Sequence, residues 1–353
     1  MKKIIVVNPG ATSTKVAYFN DKEMVWRHEI TYDNAVIDQY EKVFDQFDLR
    51  YKDIHDLLVE KDIESIDVAV GRGGLIGPVA PGAMIVDEKL IDKLKNNPML
   101  EHASNLGCAL ADRIVKDFGV DNANAYVYDP VTVDSMSEVA RITGLKEVKR
   151  SSVGHHLNMR AVAIRASEDL GKSYKDTNVI VVHLGGGASA SAHQYGQVVD
   201  FVSDDEIMFS AERSGGLPIK MMMPLLKSMS LDEFNKKVRK EAGLQAHCGT
   251  KDLREIEDRI NNGDQYAKLV IEAMALGVAK CIASLAATLE GQVDCISVTG
   301  GMVHYPFLRE EIERRVSFIA PFKPYPGEFE LQALAYGGLR VINDEEEVNY
   351  YTK

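Results

Sequence analysis

The sequence predicts an α/β protein built from two repeated domains around a cleft, and three observations carry that prediction. The first is an internal repeat. IIVVNPGATSTKVAYF from Ile4 and VIVVHLGGGASASAH from Val179 share one plan: an apolar strand, a glycine-containing turn rich in small hydroxyl residues, then a second strand. The second is the alternation of strands with helical patterns, as in α/β proteins. The third is length: at roughly 100 to 200 residues per domain, the 353 residues suffice for two, and ligands often bind in clefts of this kind.

Along the chain, the opening MKKIIVVNPG has a basic pair, but Asn8-Pro9-Gly10 stops its short apolar run too soon for a signal peptide, so it reads as a first strand. The β-branched runs Ile4 to Val7 and Val179 to Val182 suit buried strands, and the turn after each exposes backbone amides at its tip. Both tips can therefore touch phosphate. Between them, DEKLIDKLKNNPM, ASNLGCALADRIVKDF and HLNMRAVAIRASEDLG read as helices. The boundary is expected near Arg150 to Gly154, giving domains 1–152 and 153–331, with the segment 332–353 returning to the first. The apolar stretch Ala267 to Leu289 is interrupted by Lys268, Glu272 and Lys280 and keeps helical spacing, so it reads as a core or subunit-interface helix. A third glycine turn lies in CISVTGGMVHYPFLREEIERRV, where a strand ends at Gly300 and Gly301 before an amphipathic helix.

Composition narrows the partners. Hydrophobic residues at 45% and charged residues at 27% fit a folded, soluble chain. The net charge of −12, with no basic patch, repels nucleic acid and anionic membrane. An anionic ligand must then be held by backbone amides, helix N-termini, a few placed cations and a metal. Cys108, Cys248, Cys281 and Cys295 lack zinc-site or disulfide spacing, which fits a reducing cytoplasm. The acidic run in NDEEEVNYYTK reads as a solvated tail.

Neither a G-x-x-x-x-G-K-[ST] loop nor a G-x-G-x-x-G turn after a strand is present, so phosphates have to be gripped another way. Turns from two domains closing on the transferring group, with water excluded, would suffice. The segments NPGATSTK at Asn8, VGRGG around Gly71, YDP at Tyr128, GHHLNMRAVA at Gly154, HLGGGAS at His183, FSAERSGGLP at Phe209, HCGTKDLREIE at His247, VTGGM at Val298 and PGEFELQALAYGGLRV at Pro326 carry a resemblance. In this order and spacing, nearly the whole chain resembles the acetate and butyrate kinase family, within the superfamily of actin, heat-shock chaperones and sugar kinases. The resemblance implies a duplicated actin-like ATPase fold, ribonuclease H-like in each half. It also implies an enzyme that transfers phosphoryl from ATP to a small carboxylic acid with Mg²⁺, in the cytoplasm and as a dimer or larger homo-oligomer. The chain length and the ERSGGLP and GTKDLRE versions of two segments point within the family to butyrate or a branched short-chain acid.

By the same resemblance, Arg213 neutralises charge on the transferring phosphoryl group, a role suited to its glycine-rich surroundings. Asp129, after the strand pattern AYVYDP, matches the active-site aspartate that orients Mg²⁺ water or positions phosphates. His155 matches a histidine that donates a hydrogen bond to the phosphoryl group without being phosphorylated, while His156 reads as structural. Asn8, Ser13 and Lys15 match the first phosphate loop, His183 and the amides of Gly185, Gly186 and Gly187 the second, and Gly300 and Gly301 the segment under the adenosine. Glu330 matches the metal-associated glutamate, with Asn8 beside it, although Glu328 leaves the register open.

The chain departs from the family pattern twice. Ala11 stands where serine is usual, removing a hydroxyl, and Ala69 occupies the place of an active-site arginine, for which the resemblance implies Arg72 as the replacement, binding the substrate carboxylate bidentately. The expected reaction is direct, reversible in-line transfer with no covalent enzyme intermediate. Acetate or propionate kinase activity is the alternative enzyme, and a non-catalytic nucleotide-binding sensor is the alternative from another class.

Overall fold

In the computed structural model, which describes residues 1–206 and 208–352, the repeat seen in the sequence becomes a repeat of sheet topology. By its contacts the chain divides into two units, Met1–Asp134 with Phe329–Lys353, and Ser135–Glu328. In the first, β1 (Lys3–Pro9), β2 (Ser13–Asn20), β3 (Glu23–Thr31), β4 (Ile66–Arg72), β5 (Ala83–Ile85) and β6 (Gly119–Tyr128) form one sheet in the order β3-β2-β1-β4-β6-β5. In the second, β7 (Asn178–Leu184), β8 (Ala188–Gln194), β9 (Gln197–Val202), β10 (Cys295–Gly300) and β11 (Phe322–Pro326) run β11-β10-β7-β8-β9.

The two orders match from the hairpin outward. β1 pairs antiparallel with β2 and parallel with β4; β7 pairs antiparallel with β8 and parallel with β10. The β-branched runs explain why these strands are central: Ile4 to Val6 and Val179 to Val182 are fully buried, as strands covered on both faces require. The helix Leu106–Phe118 covers the first sheet, and Glu88–Asn96 packs on that helix, capped by Asp87, whose carboxylate accepts from the Leu90 amide at 2.8 Å. In the second unit, the apolar stretch forms the helix Gln265–Thr288, with Ile271, Met274, Val278, Ile282 and Leu285 fully buried in the core.

The boundary differs from the expected one. Residues 135–152 belong with the second unit rather than the first, because polar bonds fasten them there. The Ser135 hydroxyl donates to the Val198 carbonyl, the Ser137 amide to that of Val199, and Arg150 pairs with Asp200 and Glu206. At the other end, the return to the first unit begins at Phe329, just before the helix Glu330–Ile342. The acidic tail also differs in part: Asp344, Glu345 and Glu347 are exposed, but Glu346 accepts from the Tyr128 hydroxyl and from Arg340.

Candidate active site

In the first unit the sequence-derived residues fall into two neighbouring groups. Asn8 on β1 lies opposite Lys15 on β2 in register, so the two side chains share a face with Ser13 two residues away. Lys15 is exposed there, and the Ser13 hydroxyl donates to Glu29, Lys15's partner on β3. The second group centres on Glu330, at the start of its helix. Its carboxylate accepts from the Asn8 amide at 2.8 Å and lies 3.6 Å from the Arg72 guanidinium. Arg72 is the last residue of β4 and is 7% exposed. The structure thus brings Asn8, Arg72 and Glu330 together, whereas Glu328 lines a cavity of the second unit.

Asp129 follows the end of β6 with φ of +39°, a left-handed conformation that Asp tolerates better than most residues. It is almost fully buried, and Gly82 holds it on both sides: the Gly82 amide donates to its carboxylate at 2.7 Å, and its own amide donates back to the Gly82 carbonyl. His102, which the sequence did not single out, lies within the field of Arg72. Burial first, and that cation second, lower its pKa. Its Nδ1 accepts from the Ser104 amide, which leaves the Nε2 hydrogen as the outward donor of the neutral ring.

In the second unit the two histidines named from the sequence lie face to face, with centroids 4.0 Å apart and planes 11° from parallel. His155 caps the helix His156–Glu168, and its Nδ1 bonds the Ser189 hydroxyl. His183 lies near the tip of β7 and is buried, and the Asn158 amide engages its Nδ1 at 3.0 Å. His156 is buried, stacked on Phe201 and bonded to Ser152, a packing role.

The Gly185–Gly187 turn follows. Its Gly186 carbonyl is tied back by the Ser210 hydroxyl (2.8 Å) and the Glu212 amide (3.2 Å). Arg213, in the same segment as Glu212, donates from Nε to Asp204 at 3.2 Å, and Asp204 stands beside Gly187 together with His155. Asp204 was not anticipated; an acid in a polar loop gives no sequence signal of this pairing. A cavity of about 630 Å³ opens alongside, lined by Gly185, Gly186, Lys251, Arg254, Gly301 and Tyr305 among others. Its size suits a small organic ligand. Gly300 has φ of +99°, and a Cβ there would lie 2.2 Å from the Leu184 carbonyl oxygen, so the strand end can turn this closely only as glycine. Gly301 has open space at its Cβ position.

Two sheets of one topology, each with a glycine turn after its central strand, make up a fold shared with acetate kinases and ROK family proteins. An acetate kinase from Porphyromonas gingivalis superposes with a TM-score of 0.79 over 97% of this chain and 100% of its own, at 20% identity. A ROK family protein from Streptococcus pneumoniae superposes at 0.51, covering 98% and 100%, at 11% identity. In sequence, the acetokinase family profile matches residues 3–317. Butyrate kinase 2 of Clostridium acetobutylicum is 41% identical over 99% of both chains. The chain belongs to the acetokinase family.

Proposed function

We propose that this protein catalyses reversible transfer of the γ-phosphoryl group of ATP to the carboxylate of butyrate, giving butyryl phosphate and ADP. The observation that carries the reading is the 41% identity to butyrate kinase 2 along 99% of both chains. A substrate carboxylate oxygen attacks the γ-phosphorus while the bond to the β–γ bridging oxygen breaks, and ADP leaves with that electron pair.

The 630 Å³ cavity beside Gly185, Gly186 and Gly301 would take the nucleoside, where the missing Cβ atoms allow close approach to the backbone. The Gly186 and Gly187 amides, with that of Gly185 already bonded to the Gly187 carbonyl at 2.9 Å, and the His183 ring would meet the phosphates, and His155 the transferring group. Arg213, oriented by Asp204, would offset charge developing there. Arg72 would bind the substrate carboxylate, and Asn8, Ser13 and Lys15 the first-turn contacts.

Among the described residues, no group of three or more His, Cys, Asp and Glu could enclose a metal ion. Mg²⁺ needs no such group, since it takes one or two protein oxygens and completes its shell with water and phosphate. Glu330 and Asn8, hydrogen-bonded to each other and both hard-oxygen donors, would hold it. When bound, the ion neutralises charge on the nucleotide phosphates. We further read the protein as a cytoplasmic homo-oligomer. The test of function is a hydroxylamine trap with Mg-ATP and butyrate: butyryl hydroxamate should accumulate with ADP. ADP formation without hydroxamate, or no turnover at all, rules the reading out.

A further inference from the structure

Among the described residues, the largest fully buried side chain is charged. Arg50, on the helix Phe47–Glu60, has no accessible surface. Among the described residues its guanidinium has no carboxylate partner; it is used up on the turn between β1 and β2. Nη1 donates to the carbonyls of Gly10 (3.0 Å) and Ser13 (3.0 Å) and to the Thr14 hydroxyl (2.9 Å). Nη2 donates to the Ala11 carbonyl (2.9 Å), and Nε and Nη2 both reach Gln46 Oε1. The Tyr32 ring lies beneath, 4.8 Å from the guanidinium carbon.

We infer that Arg50 is a positioning residue for the first phosphate turn, holding three of its carbonyls inward so that its amides face outward to an anion. The Ala11 and Thr12 tips are exposed, and their amides donate to no acceptor among the described residues. A peptide whose carbonyl points at a buried cation points its N–H the other way, so the turn passes the positive field of Arg50 to its outer surface. A buried cation without a counter-ion is costly, and an anion on the far side of the turn offsets that cost. The second turn is held by neutral donors, Ser210 and the Glu212 amide, so the charged device belongs to the first alone. It also accounts for a turn that works with Ala11: the position contributes its backbone, which Arg50 fixes.

The inference rests on the proposed kinase reading, and its test separates the two. Arg50→Lys keeps a charge but cannot span three carbonyls; Arg50→Met removes the charge. In variants that unfold cooperatively, the KM for ATP should rise about tenfold or more, the scale of one lost charge-assisted hydrogen bond, with the KM for butyrate within about twofold of wild type. Equal KM values in folded Arg50→Lys, or a parallel rise in both, overturn the inference. Should both variants fail to fold, Gln46→Ala and Thr14→Val each remove one contact, and the KM for ATP should rise about threefold with that for butyrate unchanged; no rise overturns it. If wild type forms no acyl phosphate, the function fails by itself. The inference is then read from thermal shift: Mg-ATP should raise the melting temperature of wild type and not of the variants, and equal shifts overturn it.

Discussion

The Arg72 guanidinium is nearly buried, yet its carboxylate neighbour Glu330 stands 3.6 Å away and the Asp129 carbonyl 3.5 Å away, both too long for well-formed bonds. A buried cation held this loosely is suited to an incoming carboxylate, which can accept two parallel N–H bonds from it. Arg72→Ala should therefore lower kcat/KM for the acid by about a hundredfold or more, the scale of a broken buried charge pair, while the KM for ATP stays within about twofold. Steady-state kinetics with each substrate varied in turn will check this. Unchanged acid KM and turnover would falsify the assignment. In the sequence, the motif VGRGG singles out Arg72 as a candidate. Arg50 is not singled out, because an arginine on an amphipathic helix reads as solvated, and what buries it is a turn some forty positions earlier in the chain.

Among the elements, the strand-turn-strand plan was legible because its signal is local: a β-branched run, then small residues, then another apolar run. The unit boundary was less so, since residues 135–152 are fastened by bonds to β9 that no local pattern announces. β8 carries a different consequence. His193 near its end is fully buried, with Nδ1 on the Tyr174 hydroxyl and Nε2 on the Ser191 hydroxyl, both at 2.7 Å. Burial, followed by the charges of His156 and Arg160, lowers its pKa from 6.5 to about 3. Between those values the unfolded chain binds a proton that the folded chain refuses, so stability falls as pH drops from about 6.5 toward 3, and His193 contributes no slope above that window. One such group contributes up to about 1.4 kcal/mol per pH unit. Urea unfolding of wild type and His193→Gln across pH 7 to about 4 measures it. The variant should lose stability less steeply in acid, and an identical slope would assign the acid sensitivity elsewhere.

On the scale of the whole molecule, the question is which acid the enzyme prefers. Fold alone does not separate acids, because the P. gingivalis acetate kinase shares it at 20% identity. The identity of 41% to a butyrate kinase carries more information, since it runs over 99% of both chains. Chain-length preference is set by apolar burial, and each buried methylene contributes about 0.8 kcal/mol, close to fourfold in kcat/KM. Butyrate has two methylenes more than acetate, so a pocket that buries both should favour it by about fifteenfold, with propionate between them. A pocket wall then sets the upper limit, because overpacking costs more than a further methylene contributes. The hydroxamate assay with acetate, propionate, butyrate, isobutyrate and valerate should rise by about fourfold steps to butyrate and then fall. Acetate equal to or better than butyrate would leave carboxylate phosphorylation intact but move the preferred acid to the short end of the series.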